Sequence, residues 1–226
     1  MNSLFDCIVF AVSIFGLAKI TILFLVSFRK FAQKKLKLLI VDNYDSFTYN
    51  LVQRVEEAGQ KKYLLVKNDQ LQALQFDDFD RVLISPGPGI AHEAGQLPDF
   101  ISRFYQTKKI LGICLGFEAL VEFFGGKLSK MDDPMHGIQN EGFVVNNNPL
   151  FKDVPGSFLM GHYHSWIVAP EDFPGDLEIS VKDENGLIMA FRHRQYPLYG
   201  LQFHPESFMT PEGKKMIFNW LNYCLT

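Results

Sequence analysis

The chain has 226 residues, 47% hydrophobic and 21% charged, with a formal net charge of −3. That composition excludes a disordered or low-complexity chain, and the near-neutral balance argues against a dedicated nucleic-acid binder. Three cysteines, Cys7, Cys114 and Cys224, are too few for a disulfide framework and suit a reducing compartment.

The charge is unevenly spread. Residues 1–37 hold six basic residues and one acidic residue, whereas the rest holds 16 basic and 24 acidic, a formal −8. Leu4 to Phe28 is 25 residues, 19 of them apolar, with only Asp6 and Lys19 charged. About 20 such residues cross a bilayer as a helix. The basic cluster Arg29, Lys30, Lys34, Lys35 and Lys37 follows the apolar run, so a span would leave the remainder in the cytoplasm. A cleaved signal peptide carries its basic residues ahead of the apolar run instead. Lys19 opposes a span, costing roughly 2.5–3.5 kcal/mol at a helix centre. Three readings of residues 1–35 stay open: a membrane anchor through residues 4–28, an arm packed on the domain or a partner, and a mistaken upstream translation start. The globular domain is expected over 36–226, cytoplasmic, free or tethered to the inner face of a membrane.

Within that domain, Lys37 to Asp42 is an apolar run ending in Asp and predicts a buried parallel strand. Ser46 is a candidate cap for the next helix, in which Leu51, Val52 and Val55 share a face and which Gly59 ends. Strands are expected at Tyr63 to Val66 and at Arg81 to Ile84, the latter stopped by Ser85-Pro-Gly-Pro-Gly89. Leu97 to Lys108 has helical spacing. Lys109 to Ile113 is a further strand, followed by a helix ending at Gly125-Gly126. This alternation predicts an α/β fold with a doubly wound, mostly parallel sheet. From Phe143 to Phe203 the pattern turns to short strands and turns, a small antiparallel addition. A closing helix is expected over Gly213 to Tyr223.

Gly112-Ile-Cys-Leu-Gly116 joins an apolar strand to a helix. It has the form of a nucleophile elbow with Cys in place of Ser. The turn would present Cys114 at the carboxyl end of the sheet, where open α/β folds bind ligands. The helix N-terminus would favour the thiolate, and the Leu115 N–H would face an oxyanion. A plain core cysteine is the alternative. A cysteine nucleophile needs a base. His204, in Gly200-Leu-Gln-Phe-His-Pro-Glu-Ser207, is the candidate. Glu206, two residues on, lies on the same side of an extended chain and could hold the imidazole. In Ser85 to Gly89 the prolines fix the backbone and the glycines leave N–H groups bare, as an oxyanion or carboxylate site requires. No metal-ligand spacing is present around His162 and His164, which read as core or surface histidines. No phosphate-binding glycine loop is present. Arg192, His193 and Arg194 read as a solvated basic patch.

Five runs now combine: Asp42-Asn-Tyr-Asp-Ser-Phe-Thr-Tyr-Asn50, Ser85 to Gly89, Gly112 to Gly116, Tyr163-His-Ser165 and Gln202-Phe-His-Pro-Glu-Ser207. In this order they resemble the class I (triad) glutamine amidotransferases over roughly 36–226, a flavodoxin-like fold. The opening run narrows the resemblance to the glutaminase subunits of anthranilate synthase and aminodeoxychorismate synthase. The resemblance implies that Cys114 attacks the side-chain amide of L-glutamine to form a glutamyl thioester. It implies His204 as base and then acid, Glu206 as its orienting partner, and the N–H groups of Gly87 and Leu115 as the oxyanion hole. Gly87, Pro88, Gly89, Ser165 and the positions of Glu118 and Trp166 would hold glutamine. Ammonia would pass to a chorismate-binding synthase subunit in a hetero-oligomer. No cofactor and no metal are implied.

Three positions depart from the family pattern. Phe117-Glu118 stand where His-Gln is usual, Trp166 replaces Leu, and His136-Gly-Ile138 lacks the lysine of His-Gly-Lys. An amide can donate a hydrogen bond, whereas an ionised carboxylate only accepts. Two other functions compete: a stand-alone hydrolase of γ-glutamyl amides, with Phe117 and Trp166 reshaping its pocket, and a membrane-tethered, weakly catalytic partner subunit.

Overall fold

A computed structural model describes residues 38–74 and 79–224. The apolar segment Leu4 to Phe28 and the three readings of residues 1–35 lie outside the described residues. Among the described residues no helix is long and apolar enough to cross a membrane.

Five parallel strands form one half of the sheet: β1 (Leu38–Asp42), β2 (Tyr63–Lys67), β3 (Arg81–Ile84), β4 (Lys109–Ile113) and β9 (Leu198–Leu201). Their spatial order is β2-β1-β3-β4-β9, the flavodoxin-like order. The sheet then continues without a break through antiparallel strands β8 (Ile188–His193), β7 (Leu177–Asp183), β5 (Leu128–Val144) and β6 (Ser157–Val168). The antiparallel part therefore starts at Leu128, well before Phe143. Its first strand is 17 residues long and carries register shifts between Lys130 and Met135 and between His136 and Ile138. Those irregularities, together with the polar run Ser129 to Asn140, hide the strand from an alternation test.

Alternation along the buried strands divides the core. Leu38 and Ile40 face one side with α1 (Thr48–Glu57) and α4 (Gly213–Asn222), where Leu51, Val55, Met216, Ile217 and Trp220 pack. Leu39 and Val41 face the other side with α2 (Leu97–Phe104) and α3 (Leu115–Phe123), against Phe100, Ile101 and Leu120. Both faces of the central strands are covered, which is why these strands read as unbroken apolar runs.

Several local expectations change. Ser46 does not cap α1; the Asp45 carboxylate accepts from the Phe47 N–H at 2.7 Å, and no side chain caps the helix itself. α2 ends at Phe104, not Lys108. Of Arg192 to Arg194, the two arginines stay solvent-accessible, with Arg192 Nε bonded to Glu178 at 2.7 Å and Arg194 Nε to the Gly175 carbonyl, whereas His193 is buried and accepts from the Gln195 and Tyr196 N–H groups.

Candidate active site

The carboxyl ends of β1, β3, β4 and β9 converge on one open cavity of about 800 Å³. Its walls include Asp45 to Phe47, Pro86 to Ile90, Cys114, Glu118, Lys130, His136, Tyr163 to Trp166 and His204. Most residues singled out by sequence thus meet in one place. Leu115 and Glu206 stand behind the wall, in contact with Cys114 and His204.

The elbow is built by close backbone packing. Cys114 has φ 50°, a left-handed conformation that costs a non-glycine residue energy and is kept where the surroundings impose it. A Cβ on Gly112 would lie 2.3 Å from the Gly116 carbonyl oxygen, and one on Gly116 would lie 2.9 Å from Ile84. Both glycines are therefore required by space. Gly87 is too, since its Cβ would meet Asn43 at 2.5 Å and Leu115 at 2.7 Å. Asn43 in turn ties the loops together, donating to the Ser85 carbonyl at 2.8 Å and accepting from Asn68 at 3.0 Å. The opening run Asp42 to Asn50 is a scaffold for the Pro-Gly loop.

Beyond β9 the chain turns at Pro205-Glu206 and is not extended. The turn still brings Glu206 Oε1 within 2.7 Å of His204 Nδ1, both residues buried. His204 Nε2 is buried with no hydrogen-bond partner among the described residues, as is the second oxygen of Glu206. The imidazole is braced by Phe47, at 5.6 Å between ring centroids, and by Tyr163, at 4.9 Å. A histidine with one nitrogen fixed by a carboxylate and the other free is arranged to accept a proton and return it.

Burial pushes the Cys114 thiol well above its ordinary range, aided by the carboxylates of Glu118, Glu206 and Asp45. The Leu115 N–H at the start of α3 pulls the other way and loses. The expectation of a resting thiolate is thus overturned: desolvation and three acids outweigh one helix terminus. A thiol in this state needs a base before it can act as a nucleophile.

Glu118 is buried and lines the cavity. Burial raises its carboxyl to about 7, against the opposing hydrogen bond from Gln202 Nε2 at 2.9 Å. Gln202 also reaches 4.0 Å from Cys114 Sγ, and its own carbonyl oxygen is buried without a partner among the described residues. Phe117 does not shape the pocket. It is fully buried and packs on Phe191 at 5.2 Å, beside Gly200.

Ser165 and Trp166 lie on the cavity wall, and His136 Nε2 sits 3.2 Å from Ser165 Oγ. Lys130, directly across the β5–β6 ladder from Trp166, puts a cation on the wall although residue 138 is Ile. Sequence reasoning missed Lys130, Phe47 and Gln202 as individual contributors. Phe47 and Gln202 lay inside quoted runs; nothing local marked Lys130.

A family model, glutamine amidotransferase class-I, matches residues 39–224. The chain belongs to the class-I glutamine amidotransferases. This amidotransferase is 40% identical over 194 residues to anthranilate synthase component 2 of Methanothermobacter thermautotrophicus, covering 81% of this chain and 97% of the relative. It is 38% identical over 187 residues to aminodeoxychorismate/anthranilate synthase component 2 of Bacillus subtilis, covering 81% and 95%. A glutamine amidotransferase structure from Thermotoga maritima superposes with a TM-score of 0.69 at 15% identity, covering 84% of this chain and 97% of that one. At that identity the likeness speaks for the fold, and it agrees with the doubly wound α/β architecture.

Proposed function

We propose that residues 36–226 form the glutaminase subunit of a chorismate-aminating synthase, making anthranilate or 4-amino-4-deoxychorismate with a partner subunit. One observation carries it: an elbow cysteine and a carboxylate-held histidine line the same cavity. The names of the relatives supply the acceptor.

In this reading His204 Nε2 takes the Cys114 proton as the sulfur attacks the side-chain carbonyl of glutamine. Negative charge developing on the amide oxygen is met by the N–H groups of Gly87 and Leu115. His204 returns the proton to the leaving nitrogen, and ammonia departs to the synthase subunit. Water, activated by the same histidine, then cleaves the thioester to glutamate. Glu206 holds the imidazole and stabilises its cationic form. Gly87 to Gly89, Glu118, Ser165, Trp166 and Lys130 surround the amino-acid end of the substrate. Lys130 offers a counter-charge to its α-carboxylate.

The test is glutamine-dependent product formation with the chorismate-binding partner. Wild type should form product from glutamine or from ammonium. Cys114→Ala should use only ammonium. Glutamine-dependent synthesis by Cys114→Ala would overturn the assignment. Ammonia release that ignores the partner entirely would favour the stand-alone hydrolase.

A further inference from the structure

Two buried histidines beside the reactive pair take no part in the thioester chemistry. His162 and His164 lie two apart on β6, so both point to the same face. A line of close polar contacts runs through them. Asn140 Oδ1 is 2.6 Å from His162 Nε2, His162 Nδ1 is 3.1 Å from His164 Nε2, and His164 Nδ1 is 2.8 Å from the Trp166 carbonyl. At the outer end Asn140 Nδ2 is 3.3 Å from Asp183 Oδ2.

Proton counting restricts this line to two states. The Trp166 carbonyl only accepts, so His164 Nδ1 carries a hydrogen. A neutral imidazole has one N–H, which leaves His164 Nε2 as an acceptor. Its donor must be His162 Nδ1. His162 Nε2 is then an acceptor and needs the amide nitrogen of Asn140, reached by a half turn of that amide. The other state keeps the Asn140 oxygen toward His162 and adds a third proton, making the pair an imidazolium. Burial opposes that charge, pushing His162 to about 3 and His164 to about 4, and the neighbouring His204 and His136 repel it further. The facing carboxylate, Asp183, is one amide away. The half turn gives up one long contact and sets the Asn140 oxygen against Asp183 Oδ2, a repulsion between two acceptors that costs less than a buried imidazolium. Asp183 keeps the backbone N–H groups of Asn185 at 3.0 Å and Leu187 at 2.7 Å. The neutral, one-directional line is the cheaper state.

We propose that His162 is a positioning residue: donating from Nδ1, it fixes the His164 tautomer that holds the Trp166 carbonyl, and so sets the Ser165–Trp166 wall of the glutamine pocket. Its effect on substrate rests on the glutaminase function; the tautomers do not. In the full chain labelled with 15N-histidine, NMR should find His162 and His164 both protonated at Nδ1 and bare at Nε2. His162→Phe removes the donor, and should raise the glutamine KM at least fivefold with kcat within twofold. His162→Gln, whose amide N–H can face His164 Nε2, should keep KM within twofold of wild type. His164 protonated at Nε2 in the wild type would overturn the proposal, as would an unmoved KM in His162→Phe. Loss of KM control in both variants alike would make the role one of packing and overturn it too. A wild type without glutaminase activity would refute the glutaminase function, and the tautomer pattern would then decide the hydrogen-bonded line by itself.

Discussion

Replacing Glu118 by Gln isolates a single charge in the site. The side chains are nearly isosteric, and Gln202 Nε2 can donate to either. Gln202 spans the gap between Glu118 and Cys114, 2.9 Å to one and 4.0 Å to the other, so the carboxylate and sulfur are no more than about 7 Å apart. At an effective dielectric of about 20, an ionised carboxylate at that distance opposes the thiolate by about 2 kcal/mol, or between one and two pKa units. Glu118 titrates at about 7, so this penalty is present above neutral pH and fades below it. Glu118→Gln should therefore lower the apparent pKa of Cys114, read as an earlier rise in iodoacetamide alkylation with pH. It should also lower the glutamine KM, because an amide can donate to the substrate carboxylate where ionised Glu118 only accepts. Stability supplies a second readout. The folded-state value lies above the ordinary carboxylate value of 4.5, so ionisation favours the unfolded chain. The penalty is absent below about pH 4.5, grows through pH 7 and stays at about 3 kcal/mol above it. Glu118→Gln should raise Tm at pH 8 and leave it unchanged near pH 4. An alkylation profile that does not move, or a kcat/KM at pH 8 equal to or below wild type, would refute the electrostatic reasoning.

Glu206→Gln leaves His204 Nδ1 without its carboxylate and should lower kcat by about 100-fold or more with little change in KM, measured as glutamate release. Equal kcat would mean that Glu206 does not orient the base. Gly112→Ala drives a methyl against the Gly116 carbonyl oxygen and should destabilise the fold by about 2 kcal/mol or more, seen as a lowered denaturation midpoint. An unchanged midpoint would show that the elbow can relax. Lys130→Met removes a cation from the cavity wall and should raise the glutamine KM several-fold while sparing kcat, as loss of binding common to ground and transition states does. A fall in kcat at constant KM would move Lys130 out of the binding role.

The sequence by itself determined the doubly wound half of the fold. Residues such as Leu38 to Val41 and Ile110 to Ile113 carry no polar side chain because helices cover both faces of their strands, and that burial writes itself into consecutive residues. It also located the elbow and the His204–Glu206 pair, since each depends on spacing within a few residues. Tertiary structure decided what depends on neighbours distant in sequence. Burial among three carboxylates keeps Cys114 a thiol, against the local expectation from the start of α3. Packing on Phe191 takes Phe117 out of the pocket, and the β5–β6 register brings Lys130 across from Trp166. Local periodicity carries none of this, because desolvation and cross-strand contact are set by which segments the fold brings together.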